Sequence, residues 1–210
     1  MAVFPNSKKE YRGVMNAFWI EPAKRDVMGY KLTNVADDAV IYPGTPIKTD
    51  EAAKTAVVCK YAYVVAVGID KKTLTVKEGH FIEKGDKVAI SGGSPLTALT
   101  VASVVGDNTI VLSASNNSIK AGDVLVGLEK QEAESGASSA SGADTYAPVL
   151  PNRIVCAKAE LDELDKTCSA AHQGVVLQNV VHYPEEYLNK TSFPGSILLV
   201  GDPLLMFIIQ

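Results

Sequence analysis

The sequence predicts a mainly β protein: a β-barrel or β-clip-like body with a short helix and an extended N-terminal arm. Three observations carry that expectation. Short runs of β-branched and aromatic residues follow one another from about Tyr30 to Glu129. Turn-forming residues separate those runs at hairpin spacing. A small glycine-centred pattern also recurs at the starts of several runs.

Residues 1–30 read differently from the rest. Phe4, Tyr11, Phe18, Trp19 and Ile20 stand among charges and turn formers without sustained alternation. Aromatic rings on a polar segment must bury their faces somewhere, either on the chain's own body or on a partner. This stretch is therefore read as an arm.

Residues 31–130 form the β-rich domain. Val57-Val58 and Tyr61 to Val67 have strand composition, Gly68-Ile69-Asp70-Lys71-Lys72 reads as a turn, and Thr73 to Val76 as the returning strand. A second hairpin places Gly106-Asp107-Asn108 between Leu99–Val105 and Thr109–Leu112. The recurring pattern is an apolar residue, two spacers, a glycine and an apolar strand. It occurs as Ile82-Glu83-Lys84-Gly85-Asp86-Lys87-Val88 and as Ile119-Lys120-Ala121-Gly122-Asp123-Val124-Leu125. Looser versions are Tyr42-Pro43-Gly44-Thr45-Pro46-Ile47 and Phe193-Pro194-Gly195-Ser196-Ile197. Glycine at that place suits the positive-φ position of a turn that opens a strand. The irregular spacing of all four copies argues against a solenoid.

Residues 131–145 (QEAESGASSASGADT) are too poor in apolar side chains to offset their ordering entropy, and read as a surface loop or linker. Residues 146–210 form a C-terminal β segment packed with the main body. Within it Ala157 to Ala171 is rich in helix formers and is the expected helix. Gly174 to Val181 and Ser196 to Val200 return to strand character. The apolar run Leu204, Leu205, Met206, Phe207, Ile208, Ile209 reads as a closing strand, either in the core or as an edge for oligomer pairing.

Composition excludes several classes of function. The formal net charge is −4 and the basic clusters are only pairs, which disfavours nucleic acid as a partner. No run reaches the roughly 18–20 apolar residues of a membrane helix, and no secretory signal pattern opens the chain. The expectation is a protein made in a reducing cytoplasm and not held in a membrane. Cys59, Cys156 and Cys168 are too few for a disulfide framework.

Signs of chemistry are equally sparse. The three histidines, His80, His172 and His182, lie in no G-x-S-x-G, H-E-x-x-H or P-loop context. Cys168 and His172 are four apart, which one helical turn would bring together, but no C-x-x-C pair completes a zinc site. Gly92-Gly93-Ser94-Pro95 lacks the lysine and helix of a phosphate cradle. Glu160, Asp162, Glu163 and Asp165 read as a solvated helix face. The expectation is a non-enzyme with no catalytic residue, metal or cofactor.

The stretch from Phe81 to Leu128 resembles a β-module found repeatedly in tailed-phage virion proteins. The resemblance rests on Lys84-Gly85-Asp86-Lys87-Val88, then Val101 to Leu112, then Ala121-Gly122-Asp123-Val124-Leu125. Asp38 to Ile69, with Val40-Ile41-Tyr42-Pro43-Gly44-Thr45-Pro46-Ile47 and Tyr63 to Gly68, looks like the opening of a capsid-decoration protein. The chain as a whole resembles a phage head-fibre or capsid-decoration protein. The resemblance implies a β-rich homotrimer or homodimer on the capsid surface of the virion, with the major capsid protein as partner and no cofactor. It implies attachment through one end, so that Phe4, Tyr11, Phe18, Trp19 and Ile20 become a capsid-binding arm and Leu204, Leu205, Phe207 and Ile208 an oligomer edge. The alternative is a fibre-like module that recognises a host-surface glycan or protein, with Tyr61, Tyr63, Tyr183 or Tyr187 as stacking platforms.

Overall fold

The computed structural model describes residues 24–25, 29–92, 96–131, 145–156, 159–161, 165–176, 197–199 and 206–209. Among the described residues all regular structure is strand, so the expectation of a mainly β fold holds. The chain forms two compact units. Unit 1 gathers residues 1–61, 78–81 and 150–210, and unit 2 gathers residues 62–77 and 82–149. The boundary between them falls inside the 31–130 stretch that reads as one domain from sequence.

Unit 1 holds β1 (Lys24–Arg25), β2 (Tyr30–Leu32), β3 (Val40–Ile41), β4 (Pro46–Asp50) and β5 (Thr55–Val58). Unit 2 follows with β6 (Tyr61–Val67), β7 (Thr73–Val76), β8 (Lys87–Ile90), β9 (Leu99–Val105), β10 (Thr109–Leu112), β11 (Val124–Lys130) and β12 (Tyr146–Pro148). The chain then returns to unit 1 with β13 (Arg153–Val155), β14 (Ala159–Glu160), β15 (Thr167–Cys168), β16 (Ala170–Val176), β17 (Ile197–Leu199) and β18 (Met206–Ile209).

The main sheet of unit 1 runs β15-β2-β5-β4-β13-β16-β18-β17, with β1 also paired to β16, and β3 pairs β14 separately. Two of its pairings are parallel, β2 with β5 and β16 with β18. Its core is Tyr30, Leu32, Ile41, Ile47, Val58, Phe81, Val155 and Leu161 with smaller neighbours. Two asparagine amides act as surrogate peptide groups there. Asn34 gives its amide N–H to the Val58 carbonyl at 2.9 Å and accepts from the Val58 N–H at 2.7 Å. Asn152 makes the same reciprocal pair with Thr49, at 3.1 and 2.7 Å. Each gives a strand residue the donor and acceptor that a neighbouring peptide group would offer.

Two expectations are corrected in unit 1. The helix expected over Ala157 to Ala171 is replaced, in its described residues, by β14, β15 and the start of β16. Burial alternates there, with Cys168 and Ala170 inside and Thr167 and Ser169 outside, a period of two and not 3.6. The Asp165 carboxylate also accepts from both the Thr167 N–H and its hydroxyl, a local turn that competes with helix. Tertiary pairing overrides the propensity of a short segment. The stretch 1–30 read as an arm also includes Tyr30, which opens β2 and is a buried core residue of unit 1; residues 1–23 and 26–28 lie outside the described residues.

Unit 2 closes on itself. Its ring is β11-β6-β7-β10-β9-β8, and β8 pairs back onto β11, while β12 continues outside the ring from the far half of β11. Leu74, Val76, Val64, Val88, Val101, Ile110, Leu112 and Leu125 fill its interior, with Ile82 and Ile119 beside them. The 131–145 insert joins two strands of this unit: β11 and β12 pair, and the Gln131 N–H donates to the Thr145 carbonyl at its base. It does not separate two domains.

The ring is built twice over. Val64 and Val101, Gly85 and Gly122, Asp86 and Asp123 share one offset of 37 positions (64 to 101, 85 to 122, 86 to 123). Mapping β6, β7 and β8 onto β9, β10 and β11 preserves every neighbour in the ring, so the two halves are related by a pseudo-twofold axis. Their hydrogen bonds repeat as well. The Gly85 N–H donates to the Val101 carbonyl and the Val101 N–H to the Asp86 carbonyl; Gly122 and Asp123 do the same with Val64. Each aspartate carboxylate accepts from the N–H three residues earlier, Glu83 at 2.7 Å and Lys120 at 2.8 Å. Gly85 and Gly122 sit at φ +93° and +91°, as the third position of a type II turn requires. A β-bulge follows in each half, leaving Val65 and Ala102 without a ladder partner.

The same turn opens β4 in unit 1. Gly44, at φ +92°, donates to the Val155 carbonyl, and the Val155 N–H donates to Thr45. Ile41 and Ile47 take the buried places that Ile82 and Val88 take in unit 2. Three of the four glycine turns read from the sequence are therefore one device; the fourth, at Gly195, lies outside the described residues.

Candidate interaction surface

Four of the residues singled out for chemistry are buried. His80 is buried, and His182 lies outside the described residues. Cys59, Cys156 and Cys168 are free and buried. Burial pushes the Cys168 thiol up to about 12, with the neighbouring Cys156 adding to the shift, so it stays a neutral thiol. No group of three or more His, Cys, Asp or Glu side chains able to hold a metal occurs among the described residues. Tyr61 is buried, which removes it as a stacking platform, and Tyr63 is half-buried with the Lys77 ammonium 4.8 Å above its ring. Tyr183 and Tyr187 lie outside the described residues.

The proposed arm residues Phe4, Tyr11, Phe18, Trp19 and Ile20 also lie outside the described residues, as do Leu204 and Leu205. Phe207 and Ile208 stand in β18, which pairs with β16 on one side and β17 on the other. Both sides of β18 are occupied, so the end of that sheet falls to β17.

Several of the described carboxylates hold structure together. Glu51 accepts from the Tyr30 hydroxyl at 2.6 Å, from Arg153 at 3.0 Å and from Lys54 at 3.0 Å. The Tyr30 hydrogen bond, followed by the two cations, holds its carboxyl below the usual range. In unit 2, Asp86 and Asp123 lock the glycine turns. Asp70 locks the tip of the β6–β7 hairpin, accepting from the Lys72 N–H, the Thr73 N–H and the Thr73 hydroxyl at 3.1, 3.0 and 2.8 Å.

That tip is the most distinctive exposed feature of unit 2. Gly68 donates to the Thr73 carbonyl at 2.7 Å and Lys71 to the Gly68 carbonyl at 3.0 Å. A Cβ at Gly68 would stand 2.8 Å from the Asp70 carboxylate and 3.0 Å from the Thr73 carbonyl oxygen, so glycine is needed there. Lys71 adopts φ +56°, a left-handed conformation that costs a side-chain-bearing residue about 1–2 kcal/mol. At the apex, Ile69 is fully exposed, with a relative accessibility of 101%. The sequence marks these five residues only as a turn. The available signal was an isoleucine at a turn centre, where Gly, Asn, Asp or Ser is the usual choice.

The outer edge of unit 2 is protected. β12 is the outer strand of unit 2 and carries Pro148, followed shortly by Pro151. Proline on an edge strand removes a donor that a foreign strand would need.

Comparison with known protein families, with curated proteins and with solved structures found no match.

Proposed function

We propose that this chain is a structural virion protein, a head fibre or capsid decoration protein that binds the outer surface of a tailed-phage capsid. It acts as a homotrimer or homodimer, with the major capsid protein as its partner and without enzymatic activity. The observation that carries the reading is how unit 2 uses its polar side chains. Asp70, Asp86 and Asp123 each lock a turn instead of converging on a cleft, while an aliphatic side chain is held outward on one of those turns. Rigid turns on a closed ring suit a protein whose task is to present a surface. The resemblance of Phe81 to Leu128 to a virion β-module points the same way.

Attachment is assigned to the aromatic segment containing Phe4, Tyr11, Phe18, Trp19 and Ile20. The test is mass spectrometry of density-banded tailed-phage particles from cells that carry this gene. The chain should be found in them at a fixed ratio to the major capsid protein; its absence would sink the reading. Removing residues 1–23, which stops short of β1, should abolish binding to shells and leave both units folded. If the shortened chain still binds, the arm assignment is wrong.

A further inference from the structure

We draw no further inference here: the strongest candidate, the uncharged surface patch formed by Ala66, Thr75, Thr109 and Val105 across strands β6, β7, β10 and β9 of unit 2, is an outward sheet face with nothing in the structure to show what covers it.

Discussion

The two halves of unit 2 share their strand order, their glycine turns, their bulges and their buried valines, and part company at the hairpin tips. The shared features are those that close the ring. Val64 and Val101 each complete a two-hydrogen-bond clasp with a Gly-Asp turn, and both are buried. The tips share one hydrogen bond of that scheme, the Asn108 carbonyl accepting from the Val76 N–H and the Lys72 carbonyl from the Leu112 N–H, and differ beyond it. One is short and unstrained, and the other is longer, strained and apolar at its apex. The comparison teaches that positions under the repeat are set by folding, and positions that break it are the ones to examine for function.

The comparison can be broken most directly in the core. Ile82→Ala and Ile119→Ala, at equivalent buried positions, should each destabilise the chain by about 2–5 kcal/mol in urea unfolding. Their costs should agree to within about 1 kcal/mol. A large cost for one and almost none for the other would mean that the halves are alike in outline only.

The glycine turns give a smaller and more stringent comparison. A Cβ at Gly85 meets nothing within 4 Å, and one at Gly122 meets only the Tyr63 hydroxyl at 3.9 Å. Space is therefore not the issue, and Gly85→Ala and Gly122→Ala should both cost about 1–2 kcal/mol through backbone strain alone. Negligible cost at both would show that the turns relax to another form.

At the tips the sign reverses. Lys71→Gly relieves a left-handed lysine and should raise stability by about 0.5–1 kcal/mol, the relief being partly offset by greater freedom of the unfolded chain. A fall in the melting temperature would contradict the strain argument.

The smallest effect is one of pH. The Thr73 N–H and hydroxyl, with the Lys72 N–H, hold the Asp70 carboxyl below its usual 3.8. A depressed carboxyl contributes stability above the unfolded value, and that contribution is lost as pH falls through the folded one. Below about pH 3.8 the first tip should loosen, seen as faster amide exchange at Lys72 and Thr73 relative to Asp70→Asn, which has no such transition. Identical pH profiles in the two proteins would remove Asp70 as the lock.

Much of this was legible in the sequence. The β class, both hairpins and three glycine turns followed from local rules, because turn chemistry and strand alternation are properties of a few adjacent residues. The pseudo-twofold was not, although two of its turns carry the same local pattern. A 37-position offset carried by scattered residues, with a one-residue slip at the tip, does not stand out as a period. The composition of Ala157 to Ala171 suggests helix where the described residues form strands, because propensity is a weak guide where strands on either side supply partners. The exposed tip was missed because burial of an isoleucine is the ordinary expectation.

What the sequence determined by itself is local: where strands start, where the chain reverses, and which residues bear the positive φ that reversal demands. Only the tertiary structure decided which strands meet, that β8 closes the ring onto β11, and that residues 150–176 return to the unit built by residues 30–61. Local choices are made by neighbouring atoms and leave their mark in neighbouring letters. Strand pairing is made by groups far apart in the chain, and its free energy depends on how whole faces fit, which no short window of sequence records.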